Sequence, residues 1–155
     1  MHHHLKYLDL TYNRLPTFPA YLLKFTNITF LTISSNQLKE IPEGISAMSQ
    51  LEYLSVGNNK IEKVPSSLRE LTKLHSFKVS SNALIEFPSE IWSHWKMLKS
   101  LEMENNKLAS FSLDALKGLQ LAVLCCVGNP FVQSWDATAL HQLDHISFID
   151  IRDFK

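Results

Sequence analysis

One pattern of apolar and polar positions recurs along the chain, and residues 51–74 (LEYLSVGNNKIEKVPSSLRELTKL) show it most clearly. Apolar side chains occupy Leu51, Leu54 and Val56, and Tyr53 stands between them. Successive residues of a strand point to opposite sides. The spacing therefore predicts a short strand with one buried face and one free face.

An asparagine follows each of the first six predicted strands, and in the first four repeats a proline stands six residues after the asparagine. Asn59 stands where the chain must turn, and its side-chain amide can both donate and accept hydrogen bonds to backbone groups that the turn leaves unpaired. Val64 and Pro65 then predict an extended or 3₁₀ return segment, because proline fixes φ and has no N–H to donate. Leu68 and Leu71 are predicted to fill the core from the outer side.

The same unit recurs with a period of 23 or 24 residues. The corner asparagines are Asn13, Asn36, Asn59, Asn82, Asn106 and Asn129. Repeats begin near residues 5, 28, 51, 74, 98 and 121. A degenerate repeat begins at 146, where Ile146, Ile149 and Ile151 keep the spacing but Phe154 replaces the asparagine. Repeats of this length stack so that neighbours share one core.

We therefore predict a single α/β repeat domain over residues 5–155, with about seven short parallel strands on the concave side of a right-handed solenoid. Residues 1–4, a methionine and three histidines, are interpreted as a tag remnant or a disordered start.

Two segments near the C-terminus break the outer pattern. The fifth repeat has Ser112 in place of proline, so residues 112–119 are predicted to form a short helix. Residues 135–143 carry apolar side chains at helical spacing, and Ser134 is their predicted N-cap. The extra residue of the fourth repeat is placed in residues 92–97, as a bulge on the outer face.

The repeats, with a bulky apolar residue and proline after the asparagine as in Ile41-Pro42 and Val64-Pro65, resemble leucine-rich repeats of the 23-residue intracellular class. Ras-suppressor, Scribble-type and plant Ras-group-related proteins belong to this class, and bacterial repeat proteins look similar. The resemblance covers residues 5 to about 143. It implies a protein partner bound on the concave face, with small GTPases and phosphatases among the candidates.

Charge and hydropathy argue against a nucleic acid or a membrane as the main partner. The chain has 15 Lys and Arg against 15 Asp and Glu, which does not favour nucleic acid or an anionic membrane surface. The longest apolar run, residues 121–127, is far shorter than the ~20 residues of a membrane helix. We expect no nucleic-acid partner and no membrane insertion.

Two adjacent cysteines, Cys125 and Cys126, are poorly placed to form a disulfide with each other. The disulfide-stapled caps that are typical of extracellular relatives are missing, which favours a reducing compartment, and we expect the cytoplasm. The sequon at Asn27 would argue for secretion, but a triplet of this kind also arises by chance.

Candidate chemistry is weak. His141 and His145 have the spacing of a zinc metalloprotease helix, but Gln142 stands where that motif needs a glutamate. Cys125 has no histidine at a neighbouring strand position. We therefore expect no enzyme activity, no metal and no cofactor.

The free side of the strands is the predicted partner-binding face. Aromatic side chains align in the first three repeats, and charged ones farther along can set orientation. The predicted contacts are Tyr7, Asp9, Tyr12, Phe30, Thr32, Tyr53, Ser55, Lys78, Glu102 and Glu104. Two alternatives stay open. The aromatic residues could serve only to stabilise the sheet. The partner could instead contact the outer face near Trp92 and Trp95.

Three functions fit this pattern. The first is a non-catalytic scaffold or adaptor. The second is a regulatory segment of a larger signalling enzyme, such as a kinase or a ubiquitin ligase. The third is a secreted or surface repeat protein, an effector or an adhesin. Both end repeats also lack a polar cap, which predicts either a longer solenoid or end-to-end self-association.

Overall fold

The computed structural model describes residues 4–152, in which every repeat contributes one three-residue strand to a single sheet. The strands are β1 Tyr7–Asp9, β2 Phe30–Thr32, β3 Tyr53–Ser55, β4 Ser76–Lys78, β5 Ser100–Glu102, β6 Val123–Cys125 and β7 Phe148–Asp150. They pair in parallel and in chain order, and the register joins equivalent positions of successive repeats. The predicted concave parallel sheet is confirmed. The predicted strand-seven residue Phe154 and the first three residues lie outside the described part.

Return segments on the outer side are short helical turns. Four 3₁₀ helices each follow a proline in extended conformation: Ala20–Lys24, Glu43–Ala47, Ser66–Glu70 and Ser89–Ile91. Proline favours this arrangement because it cannot donate a hydrogen bond within a helix interior. The predicted extended or 3₁₀ outer segments are confirmed.

Both predicted α-helices exist, and each is shorter than predicted. Helix α1 spans Leu113–Lys117, and Ser112 precedes it at the position that proline holds in earlier repeats. Helix α2 spans Ala137–His141, and Asp136 Oδ1 accepts the Ala139 N–H at 2.9 Å.

The prediction of Ser134 as the N-cap of the second helix is wrong. Ser134 is the last residue of a 3₁₀ helix, Pro130–Ser134, and its hydroxyl donates to the Phe131 carbonyl at 2.6 Å. Trp135 is extended, so the helix cannot begin until after Asp136.

The core lies between the sheet and the outer turns and runs through every repeat. Leu51, Leu54 and Leu68 are fully buried in it, as the repeat pattern predicts. At the N-terminal end Leu5 is only partly covered, and at the C-terminal end Ile151 is only partly covered. Burying such apolar side chains is the main stabilising contribution in a stacked-repeat fold.

The predicted outer bulge at residues 92–97 does not expose its tryptophans. Trp92 is 6% exposed and Trp95 is fully buried, so Trp95 offers no surface on the outer face and Trp92 offers only a little. The Trp95 indole N–H donates to the Leu68 carbonyl at 3.0 Å, across to the preceding repeat. The 3₁₀ helix of this repeat shortens to Ser89–Ile91, and a turn carries both tryptophans into the core.

Each corner also uses a left-handed residue that the sequence analysis missed. The residue before the corner asparagine has φ between 53° and 75° in six repeats: Tyr12, Ser35, Asn58, Ser81, Asn105 and Gly128. Only glycine adopts this region without cost, and Asn is the next most tolerant. The recurrence of Asn, Ser and Gly before the asparagine was the available signal.

Candidate functional site

The corner asparagines join each repeat to the one before it. The Asn106 amide donates to the carbonyls of Met103 and Glu104 in its own repeat and to Val79 in the preceding repeat, at 3.1–3.3 Å. Its oxygen accepts the Leu84 N–H at 3.0 Å. Asn36, Asn59, Asn82 and Asn129 make equivalent bonds.

Asn13 differs because no described repeat precedes it. Its side chain is exposed and donates to Thr11 O at 3.2 Å, while its backbone N–H is accepted by Asn36 Oδ1 at 3.0 Å. These asparagines, the asparagine ladder, therefore join successive repeats in a fixed register from the second repeat onward.

Three aromatic rings form a continuous stack on the free side of the sheet. Tyr7, Phe30 and Tyr53 are direct neighbours in the register of β1, β2 and β3. The centroids of successive rings are 4.2 Å apart, and the rings are nearly parallel, at 11° and 2°. Tyr7 is 58% exposed and the other two rings are half-buried. Both faces of the Phe30 ring are covered by its neighbours, so a partner would contact the ring edges.

A lysine closes the aromatic stack toward the middle of the sheet. Lys78 Nζ lies 5.9 Å from the centre of the Tyr53 ring, within cation–π range, and 2.9 Å from Glu102 Oε1. Partial burial lowers the pKa of Lys78, but the hydrogen bond and charge of Glu102 outweigh this, so the pKa is raised overall. The lysine stays charged at any physiological pH.

Two other polar groups fix the shape of this face. Glu104 accepts a hydrogen bond from the Ser80 hydroxyl. Asp9 Oδ1 accepts the Thr11 N–H at 2.8 Å, and the hydrogen bonds from the Thr11 hydroxyl and N–H hold the pKa of Asp9 below its usual value.

The structure corrects the placement of Thr32 and Ser55 among the accessible residues. Their exposed fractions are 8% and 7%, and the hydroxyls join Thr32 to Ser34 at 3.3 Å and Ser34 to Ser55 at 2.7 Å. Tyr12 lies at a corner and is 80% exposed; among residues 4–152, no ring contact joins it to the stack. Of the predicted contacts, only Thr32 and Ser55 are buried; the aromatic stack, the Lys78–Glu102 pair, Asp9, Tyr12 and Glu104 keep accessible surface.

The two cysteines are free thiols buried near the C-terminal strands. Burial raises the pKa of Cys125 to about 11 and that of Cys126 to about 12, and nearby acidic groups add to both shifts. A thiol whose pKa is raised in the folded state stabilises the fold fully below its ordinary pKa of 9.0, and this contribution is lost as the pH rises through about 11.

We expect iodoacetamide to react with the folded chain at pH 8 more than about ten-fold more slowly than with the urea-unfolded chain, since only the thiolate attacks. The rate at Cys125, measured in a Cys126→Ala variant, should rise with an apparent pKa of about 11. A folded chain that is alkylated at the unfolded rate would show that the thiol is accessible and ionised.

The described residues contain neither a metal-binding cluster nor a membrane-spanning helix. Among residues 4–152, no group of three or more His, Cys, Asp and Glu side chains is arranged to hold a metal ion. Every helix in that range is too short or too polar to cross a lipid bilayer.

Comparison with known proteins agrees with this geometry. A leucine-rich repeat family model matches residues 26–84, and a second leucine-rich repeat model matches residues 4–25. No curated protein sequence matches the chain.

Three solved structures with a similar fold come from bacteria. Internalin C2 of Listeria monocytogenes superposes with a TM-score of 0.79 and 20% identity, over 94% of this chain and 61% of that one. Internalin F of the same species has a TM-score of 0.67 and 24% identity, over 96% of this chain and 48% of that one. A leucine-rich repeat protein of Leptospira interrogans has a TM-score of 0.74 and 21% identity, over 99% of this chain and 44% of that one. The chain thus spans about half the length of these proteins.

Sheet, outer turns and asparagine ladder together define a repeat solenoid. The chain is a leucine-rich repeat protein.

Proposed function

We propose that the chain is a non-catalytic scaffold or adaptor that binds a protein partner on its concave face. Leucine-rich repeat domains are generally protein-binding modules and are typical of non-catalytic proteins. The observation that supports this site is the exposed stack of Tyr7, Phe30 and Tyr53, since a soluble monomer has little structural need for an exposed apolar strip.

Polar groups beside the stack support the same face. Aromatic side chains bordered by charged ones resemble the energetic centres of protein interfaces. Lys78 and Glu102 lie beside Tyr53 and can orient a partner through charge. The aromatic stack also stabilises the sheet, so its two roles must be separated by experiment.

The test is the double substitution Phe30→Ser with Tyr53→Ser, with Tyr21→Ser as the matched control. Tyr21 is 61% exposed on the outer turn Ala20–Lys24. Removing two aromatic anchors at about 2 kcal/mol each should weaken binding more than about 100-fold, and the control should bind normally. The partner is captured with the unmodified chain, and calorimetry then gives the Kd for each variant.

Circular dichroism must show that the double variant remains folded. A folded double variant with an unchanged Kd would contradict the proposed face.

We further propose that the chain belongs to the 23-residue intracellular class and acts in the cytoplasm, with a small GTPase or a phosphatase as partner. The two free cysteines of the described residues suit a reducing compartment. Fractionation of the source cells should place the chain in the soluble cytosolic fraction. A glycan on Asn27 would instead support a secreted or surface protein.

A further inference from the structure

The outer side of the solenoid has a groove between the fourth and fifth repeats, with a volume of about 600 Å³. It opens where the regular outer turns are interrupted. The turns Glu43–Ala47 and Ser66–Glu70 lie closely against each other, whereas Ser89–Ile91 and helix α1 contact each other weakly at most. We name this site the outer groove. It is separate from the concave face and independent of the function proposed there.

Aromatic side chains form the floor of the outer groove. Phe87 stacks on Trp92 with their centroids 4.7 Å apart, and Trp92 meets Phe111 edge-on at 5.3 Å. All three line the groove, and both phenylalanines are only half-buried. The two phenylalanines, backed by Trp92, which is 6% exposed, therefore offer an apolar surface that the fold covers only in part.

Charges around the rim are not balanced. The acidic rim residues are already paired: Glu86 lies 3.1 Å from Lys63 Nζ, and Asp114 lies 2.6 Å from Lys117 Nζ. Lys96, which also lines the groove, has no ion-pair partner among residues 4–152. Its ammonium lies 3.8 Å from the position that a Cβ of Gly118 would take. The groove thus presents one unpaired cation beside an aromatic floor.

We propose that the outer groove binds a segment of a protein partner that carries one large apolar side chain next to a carboxylate. The apolar side chain packs on Phe87, Trp92 and Phe111, and the carboxylate pairs with Lys96. Sites for small molecules usually surround 70–90% of the ligand, typically in about 300–1,000 Å³. The outer groove has the volume but is open to solvent along its outer side, which suits a segment of a longer chain.

The experiment titrates the ¹⁵N-labelled chain with three synthetic pentapeptides and follows the amide and indole resonances. The test peptide is acetyl-Gly-Glu-Phe-Glu-Gly-amide. One control replaces both glutamates with lysine, and the other replaces phenylalanine with alanine. We expect saturable shifts confined to residues 86–96 and 110–118 and including the Trp92 indole N–H, and binding at least about ten-fold weaker for each control.

A charge-reversed variant tests the role of Lys96. Lys96 is exposed, so Lys96→Glu should leave the fold intact. It should weaken binding of the glutamate peptide by at least about ten-fold and strengthen binding of the lysine peptide. Lys96→Arg should retain the binding.

Four results would overturn the proposal. The first is no saturable shift at these residues with about 10 mM test peptide. The second is equal binding of all three peptides, and the third is equal affinity in Lys96→Glu. The fourth is concentration-dependent shifts of the groove residues without peptide, which would make a second copy of the chain the occupant.

Discussion

Replacing Trp95 with alanine should lower the free energy of unfolding by about 3–5 kcal/mol, the range found when a buried tryptophan is truncated. Trp95 is fully buried, and its ring packs edge-on against Phe77 at 5.2 Å and Trp92 at 6.0 Å. The substitution removes this packing and the hydrogen bond from the indole N–H to Leu68 O, which then keeps only the N–H of Leu71 as a donor.

Urea unfolding followed by circular dichroism measures this effect. Trp95→Phe should lose about half as much stability, because it keeps most of the ring but not the indole N–H. Tyr21→Ala should change the stability by less than about 0.5 kcal/mol, since Tyr21 is 61% exposed. If Trp95→Ala unfolds at the same urea concentration as Tyr21→Ala, Trp95 does not hold the two repeats together.

The second large effect is expected at the asparagine ladder, where Asn106→Leu should cost about 3 kcal/mol. Asn106 is 6% exposed and makes four hydrogen bonds to backbone groups of two repeats. Leucine has a similar size but can neither donate nor accept, so the Leu84 N–H loses its acceptor, which costs about 1–3 kcal/mol, and the three carbonyls each lose one of two donors. Urea midpoints, compared at equal m-values, give the difference.

Asn13→Leu provides the matched control for this prediction. Asn13 occupies the same position of the first repeat but is exposed, and its side chain bonds only to Thr11 O among the described hydrogen bonds. We expect a loss of less than about 0.5 kcal/mol. Equal losses for the two variants would mean that the bonds between repeats contribute little.

Much of the fold could be predicted because the repeat fixes both the strand and its register. Once Asn36 and Asn59 are known to be equivalent, parallel stacking places Tyr53 beside Phe30, and so this part of the aromatic stack follows from sequence alone. The outer turns follow from proline in the same way.

Burial was harder to predict, because it depends on neighbouring repeats and not on the local pattern. Thr32 and Ser55 alternate correctly onto the free side, yet neighbouring side chains cover them, and both hydroxyls bond to Ser34, so they are little exposed. Trp95 falls in the irregular fourth repeat, where no period assigns a direction to its side chain.

The outer groove could not be predicted for the same reason. The sequence shows an extra residue in one repeat and a missing proline in the next, but not that the two irregularities lie side by side. Predicting the groove would require knowing that helix α1 replaces a 3₁₀ turn in the fifth repeat and that Trp92 of the fourth repeat packs against Phe111 of the fifth.

The asparagine ladder also gives the array a direction. Each asparagine accepts an N–H from the preceding repeat, as Asn82 does from Ile61, so a repeat is completed only by the one that follows it. A truncation from the C-terminal side therefore leaves the new last repeat with an N–H that has no acceptor. A truncation from the N-terminal side is milder, because an asparagine such as Asn59 keeps the carbonyls of Val56 and Gly57 in its own repeat. We therefore expect the solenoid to tolerate shortening from its first repeat better than from its last.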